Sequence, residues 1–323
     1  MHGVFLDLDT VDRGDLDLEP IRSVLSRWTP YPETSTKDIR QRISDAEIVI
    51  SNKTGLDRDA LQSANNLKLV CIAATGTNNI DLEAARRCNI TVCNVTAYAT
   101  ASVVEHVFSQ LLLLVRHLNE YRESVDQGRW QQSGEFCLLD HPIRELSGMT
   151  LGIVGYGELG QAVASVGRAF GMHILVAERA GKPLRSDRTS LDEVLKTADV
   201  ISLHCPLTRE THHLIGSREL GLMQQDAILV NSARGGIVDE QALLHSLQTG
   251  GIAGAAVDVL SEEPPQHGNP LLGSGLPNLL VTPHIAWASV RSRQRLIDRI
   301  AENIRAWQAG SPCNVISNHP AEP

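Results

Sequence analysis

The stretch Leu151-Gly-Ile-Val-Gly-Tyr-Gly-Glu-Leu-Gly160 decides how the rest of the chain is read: a short apolar run leads straight into Gly155-x-Gly157-x-x-Gly160. A strand that ends on this spacing and passes into a helix builds a seat for a dinucleotide pyrophosphate. The first glycine permits the tight turn, the second lets backbone approach phosphate, and the third lets the helix pack closely on the strand. N–H groups and the dipole at the helix start then face the anion. The expected surroundings are present: an amphipathic segment at 161–170, then a second apolar run at 173–177 that ends in Glu178. An acidic side chain about 20 residues past the glycines is placed to accept hydrogen bonds from the adenosine ribose.

On either side of this motif, apolar runs alternate with helix-period segments. Before it, 3–8, 47–51, 67–73 and 90–94 read as strands, and 56–64 and 82–88 as helices. Their hydrophobicity is continuous rather than alternating, the mark of strands buried on both faces of a parallel sheet. The pattern at 100–127 predicts one long helix stopped by Gly128, and 129–147, with Trp130, Phe136 and Pro142, reads as irregular. After the motif, strands are expected near 173–177, 200–205, 228–232, 253–259 and 279–283. Helices are expected at 191–197 and 240–247, with Ser190 and Asp239 as caps. A last helix at 290–309 precedes a polar tail expected to fray from Ser317. Two successive strand–helix arrays predict an α/β protein with two doubly wound parallel-sheet domains, a Rossmann domain inserted in a flavodoxin-like one. The last helix is long enough to return to the first array. The first domain is therefore expected to be discontinuous, 1–97 plus 288–323, with the nucleotide domain at 98–287. A cleft hinged at two connections would enclose a small substrate.

Composition narrows the class. The 323 residues suit two domains, and no apolar run approaches the ~20 residues that span a bilayer. The first residues form an acidic, apolar, strand-like segment rather than a basic leader, so a secretory signal is not expected. Cys71, Cys88, Cys93, Cys137, Cys205 and Cys313 lack a C-x-x-C pair and read as reduced thiols of a cytoplasmic protein. A formal net charge of −9 argues against a nucleic-acid partner. No metal is expected: His212-His213 and His204-Cys205 are adjacent pairs, not spacings that aim ligands at one ion. No Gly-x-Ser-x-Gly elbow supports a serine hydrolase.

Three segments place polar residues where apolar strands end. In Asn231-Ser-Ala-Arg-Gly-Gly-Ile-Val-Asp239, Arg234 follows a buried strand, where open α/β sheets bind ligands. A guanidinium there can grip a carboxylate and reach a neighbouring carbonyl oxygen, or it can pair with a structural Asp. In Ala256-Val-Asp-Val-Leu-Ser-Glu-Glu-Pro-Pro265, Asp258 interrupts an apolar strand and Glu263 precedes two prolines. In Val281-Thr-Pro-His-Ile-Ala-Trp-Ala-Ser289, His284 ends another strand. A carboxylate beside an imidazole orients it and favours its protonated form. Beside a nucleotide seat these groups converge on carbonyl reduction: hydride to carbon, proton to oxygen.

On these motifs, together with Ala73-Ala-Thr-Gly-Thr-Asn-Asn-Ile-Asp81, Ser102-Val-Val-Glu-His106 and His204-Cys-Pro-Leu-Thr208, the chain resembles the D-isomer-specific 2-hydroxyacid dehydrogenases from 46 to about 309. The resemblance implies Arg234, Glu263 and His284 as the catalytic group. It also implies Thr75, Glu158, Leu159, Glu178, Cys205, Ser232, Ala233 and Asp258 around the cofactor, alongside Gly155, Gly157 and Gly160. Backbone N–H groups of Thr75-Gly76-Thr77 would hold the substrate carboxylate.

Within that family the chain is most similar to the branch acting on hydroxypyruvate and D-glycerate, on Asn52-Lys53, Arg129-Trp130, Phe136-Cys137 and Trp287. Phosphoglycerate-type relatives carry an Arg just before the carboxylate turn, where this chain has Cys71-Ile72-Ala73. A small unphosphorylated acid is therefore expected, with glyoxylate as side substrate. Lys53, Trp287 and Phe136 of a partner subunit would shape the pocket, although Trp287 could equally be hinge packing. Glu178 favours NAD over NADP because a carboxylate repels a 2′-phosphate, while Arg179 and Arg185 nearby could attract one. The segment 128–147 resembles the family's dimerisation arm and implies a homodimer. Rival readings are a nucleotide-sensing corepressor of the C-terminal binding protein type, a D-lactate-type dehydrogenase or a phosphoglycerate dehydrogenase. A formate dehydrogenase is disfavoured because that branch has Gln in the role of Glu263.

Overall fold

In the computed structural model, residues 1–179 and 181–316 are described, and the tail from Ser317 lies outside the described residues. Contacts divide the chain into two units, Met1–Ala99 with Trp287–Pro323, and Thr100–Ala286.

The first unit runs β1 (His2–Phe5), α1 (Glu19–Arg22), β2 (Arg27–Pro30), α2 (Ile39–Ile43), β3 (Ile48–Ser51), α3 (Arg58–Ser63), β4 (Leu69–Ile72), α4 (Leu82–Arg87) and β5 (Thr91–Cys93). All five strands are parallel, in the order β2-β1-β3-β4-β5, which is the flavodoxin-like order. The apolar runs Ile48-Val-Ile and Leu69-Val-Cys-Ile are fully buried, as helix-covered parallel strands must be. Short helices start where aspartates cap them: Asp57 accepts from Ala60 N–H at 2.8 Å and Asp81 from Ala84 N–H at 2.9 Å. The expected β strands at 3–8 and 67–73 are shorter than their apolar runs, and β2 was not foreseen. At this sheet edge Arg27 and Pro30 are exposed and Trp28 and Thr29 only half-buried, so burial left no continuous apolar signal there.

The second unit begins with α5 (Thr100–Val115), α6 (Leu118–Asp126) and α7 (Arg129–Ser133). Instead of one helix over 100–127, the chain breaks at His117, whose φ of 50° is left-handed and cannot continue a right-handed helix. There its ring stacks on His141, centroids 5.5 Å apart. The sheet then follows: β6 (Thr150–Val154), α8 (Glu158–Ala169), β7 (His173–Val176), α9 (Leu191–Thr197), β8 (Val200–Leu203), α10 (Ser217–Leu220), β9 (Ile228–Asn231), α11 (Glu240–Gln248), β10 (Gly254–Val257) and β11 (Leu279–Val281). Spatial order is β7-β6-β8-β9-β10-β11, all parallel. Beyond β7 a single parallel bridge joins Ala177 to Thr189, a remnant of the strand that completes the dinucleotide-fold order. The order reverses between β6 and β8, so the crevice at their carboxyl ends is where a ligand belongs. Ser190 and Asp239 cap α9 and α11, at 3.3 Å to Glu193 N–H and 3.0 Å to Ala242 N–H. The last helix, α12 (Val290–Gln308), belongs to the first unit, where Asn303 donates to the Asn94 carbonyl at 2.9 Å. No helix among the described residues is long and apolar enough to cross a membrane.

Candidate active site

The glycine motif divides into positions that must be small to pack and one that must stay open. Gly155 turns at φ 95°, and a Cβ there would lie 2.5 Å from the Cys205 nitrogen at the end of β8. A Cβ on Gly160 would lie 2.1 Å from the Gly155 carbonyl oxygen, so α8 could not approach β6. Gly157 has nothing within 4 Å of its added Cβ: space stands open above it. Gly157 is also the N-cap of α8 and offers no side chain, so the N–H groups of the first turn, at Glu158, Leu159 and Gly160, are uncapped for an anion. The Glu158 carboxylate accepts from Thr100 Oγ1.

Glu178 sits one strand over, past β7, with a side chain only 7% exposed. Its Oε1 accepts from Arg179 N–H at 2.8 Å and Arg185 Nη2 at 3.1 Å, and its Oε2 from Arg185 N–H at 2.9 Å and Nε at 3.0 Å. The Arg185 guanidinium, helped by the backbone donors, holds this carboxyl down at about 2. Ribose hydroxyls would have to replace the guanidinium to use Glu178. Burial pushes the His204 imidazole down to about 4 and the Cys205 thiol up, so both flank Gly155 as neutral groups. The buried Ser232 hydroxyl has no protein partner, a polar atom that a bound group would satisfy. Open space, an uncapped helix start and an acidic acceptor at the switch point fit a dinucleotide.

The residues expected to form the catalytic group come from the ends of adjacent strands. Asn231, Val257 and Val281 lie on one rung of β9, β10 and β11. Arg234 and His284 follow that rung by three residues and Asp258 by one, so all emerge at the carboxyl edge of the sheet. Gly235 lets the first two loops touch backbone to backbone: a Cβ there would lie 1.8 Å from the Leu260 oxygen. His284 Nδ1 and Glu263 Oε2 are 2.6 Å apart, and Glu263 Oε1 accepts from Leu260 N–H at 2.9 Å. Arg234 donates to the Ala233 carbonyl at 2.7 Å, and among the described residues no carboxylate pairs with it. Its loop is tied by Asn231, which donates to the Arg234 carbonyl at 3.0 Å and accepts from Ala233 N–H at 3.1 Å.

Asp258 is 1% exposed. Its carboxylate accepts from Thr282 Oγ1 at 2.5 Å, Ile285 N–H at 3.0 Å and Ala286 N–H at 2.9 Å, with His106 Nε2 3.5 Å away. Desolvation would raise its pKa, but these donors win and hold it below the usual range. Whatever Asp258 offers a cofactor, its carboxylate also secures the loop that carries His284. Neither Thr282 nor His106 was singled out for this from sequence; a Thr on a strand otherwise apolar was the available signal.

Thr75, Gly76, Thr77, Lys53 and Trp287 belong to the first unit. The N–H groups of Thr75, Gly76 and Thr77 meet no protein acceptor among the described residues, while Thr75 Oγ1 is tied to the Val95 carbonyl at 2.8 Å. Such a turn can receive a carboxylate. The Lys53 segment is shaped by the buried Asp7, which accepts from the N–H groups of Asn52, Lys53 and Thr54 at 2.9, 2.6 and 2.7 Å. Trp287 meets Tyr98 edge-on, with centroids 6.3 Å apart.

The profile described as "D-isomer specific 2-hydroxyacid dehydrogenase, NAD binding domain" matches residues 108–286. A glycerate dehydrogenase of Methylorubrum extorquens is 42% identical over 97% of this chain and 98% of its own length. A hydroxypyruvate reductase of Blautia hydrogenotrophica is 36% identical over 98% and 100%. Among solved structures, a D-lactate dehydrogenase from Aquifex aeolicus with NAD and lactic acid superposes with a TM-score of 0.81 at 31% identity, covering 96% of each chain.

Proposed function

The chain belongs to the D-isomer-specific 2-hydroxyacid dehydrogenases, NAD-dependent oxidoreductases, and we propose that within them it interconverts hydroxypyruvate and D-glycerate, with glyoxylate as a side substrate. The observation that carries the reaction is the 2.6 Å contact of His284 with Glu263, at the sheet edge that also presents Arg234. Two findings narrow the substrate: the likeness to a glycerate dehydrogenase, and complete burial of Cys71, Ile72 and Ala73 where a phosphate-binding relative carries a cation.

In this reading the first unit is the substrate domain, with Lys53 and Trp287 lining its pocket. Arg234 holds the 2-oxo acid and polarises its carbonyl, and the turn at Thr75, Gly76 and Thr77 receives the carboxylate. The bound nicotinamide supplies or takes the hydride at C2. With Nδ1 oriented by Glu263, His284 gives the carbonyl oxygen a proton from Nε2, and in oxidation removes it. NADH oxidation measured with hydroxypyruvate, glyoxylate, pyruvate and 3-phosphohydroxypyruvate is expected to be fastest with hydroxypyruvate. Negligible turnover with all four, despite NADH binding, would instead favour a nucleotide-sensing protein.

Coenzyme choice follows from Glu178. A carboxylate held ionised repels a 2′-phosphate, so the wild type is expected to use NADH ahead of NADPH. Glu178→Ala leaves the Arg185 guanidinium without its counter-charge, with Arg179 next in sequence, and should lower the NADH-to-NADPH ratio of kcat/KM by more than about tenfold. A wild type that prefers NADPH at matched concentration refutes the assignment. We also propose a homodimer, supported by the apolar side chains that the 128–147 arm exposes, Phe136 at 93% and Leu139 at 75%. A cytoplasmic setting is proposed from chemistry: all six cysteines are free thiols.

A further inference from the structure

Glu240 is the first residue of α11, and its carboxylate does not face solvent alone. Oε1 accepts from Ser261 N–H at 2.7 Å, and Oε2 accepts from Ser261 Oγ and from Asn269 Nδ2, both at 2.7 Å. The two partners bracket Glu263, which lies two residues after Ser261 and six before Asn269. One side chain therefore clips both ends of the Glu263 loop to the helix that follows the Arg234 loop. Nothing else among the described polar contacts ties the far end of that segment, at Asn269, to the helix. The charge is needed because three donors converge on it, and charge-assisted bonds of this length are the strong ones.

We infer that Glu240 is a positioning residue for proton transfer, holding the Glu263 carboxylate in line with His284 Nδ1 and in register with Arg234. The inference rests on the assignment of Glu263 and His284 above. Glu240 reaches no reacting atom; it acts through Ser261, Asn269 and the loop they anchor. Because a displacement of about 1 Å can cost 10²-fold in rate, loosening this clip should slow the proton step while leaving the nucleotide seat alone.

The test is kinetic, on the full-length enzyme with NADH and hydroxypyruvate. Glu240→Ala is expected to lower kcat about ten- to hundredfold, with NADH affinity close to wild type. The solvent isotope effect on kcat should rise, since proton transfer becomes more limiting, and Glu240→Gln, which keeps an acceptor oxygen for Ser261, should recover part of the rate. Asn269→Asp, which sets a second carboxylate against Glu240 without altering the helix, should reproduce the slow proton step. In a Glu263→Gln background, Glu240→Ala should add less than about a further twofold loss, because coupled residues are non-additive. Full multiplication of the two effects, or an unchanged isotope effect with a lowered thermal midpoint, would reduce Glu240 to a structural role. A slow Glu263→Gln beside a full-speed Glu240→Ala overturns this inference alone. Glu263→Gln at wild-type speed overturns the proton-relay assignment beneath it.

Discussion

His284→Ala is expected to lower kcat for hydroxypyruvate reduction by about 10²- to 10⁴-fold, the range that a positioned acid contributes, while NADH still binds. The surrounding structure is organised to hold one imidazole. His284 occupies the left-handed region at φ 56°, an unfavourable place for a side chain with a Cβ. It is kept there because its N–H donates to the Asp258 carbonyl at 2.8 Å, while the Asp258 carboxylate captures the next two N–H groups. Strain at this position is the cost of turning the ring toward Glu263 immediately after a buried strand. Alanine shares the backbone penalty, so His284→Gln provides the control that keeps a polar side chain of similar length. Rates within about tenfold of wild type for both variants would exclude His284 as the proton donor.

The features most plainly legible in the sequence are the fully buried strands, although the half-buried β7 and β11 were also marked by apolar runs. Strands such as β8 and β9 announce themselves because they are buried throughout and almost wholly apolar, with only Ser202 and the last residue Asn231 polar. That rule also exposed Arg234, Asp258 and His284, which appear where apolar runs end. At two margins it gives no signal. Residues 27–30 form β2 without one fully buried residue, and Thr189 pairs with Ala177 through one bridge. The turn at His117 carried no mark, since glycine or asparagine usually signals a positive φ and histidine seldom does. Partnerships across the sequence were invisible for a different reason. Which donors satisfy Asp258, or that Glu240 reaches Asn269, depends on how separate loops meet beyond the strand ends, and no local spacing records it. Nothing local separates Glu240 from any acidic residue in a helix's first turn, where the dipole alone would account for it.

The second large effect is expected at Arg234. Arg234→Lys keeps the positive charge, yet kcat/KM with hydroxypyruvate should fall by at least about 10²- to 10³-fold, the loss typical of removing a directed donor to a developing oxyanion. Lysine presents a compact ammonium on a flexible stem and cannot bind a carboxylate and a carbonyl oxygen in one plane. The guanidinium is already restrained: Nη1 donates to the Ala233 carbonyl at 2.7 Å, and Asn231 fixes the backbone on both sides. No carboxylate among the described residues neutralises it, so its pairing capacity is available for an acidic ligand. The substrate series separates this role from specificity. Hydroxypyruvate, glyoxylate and pyruvate share the 2-oxo acid and differ only beyond C2. An Arg234 variant should therefore lose activity by a similar factor on all three, whereas changes at Lys53 or Trp287 should alter their ranking. If Arg234→Lys merely reorders the substrates at undiminished rates, the residue selects substrate tails and something else must hold the reacting carbonyl.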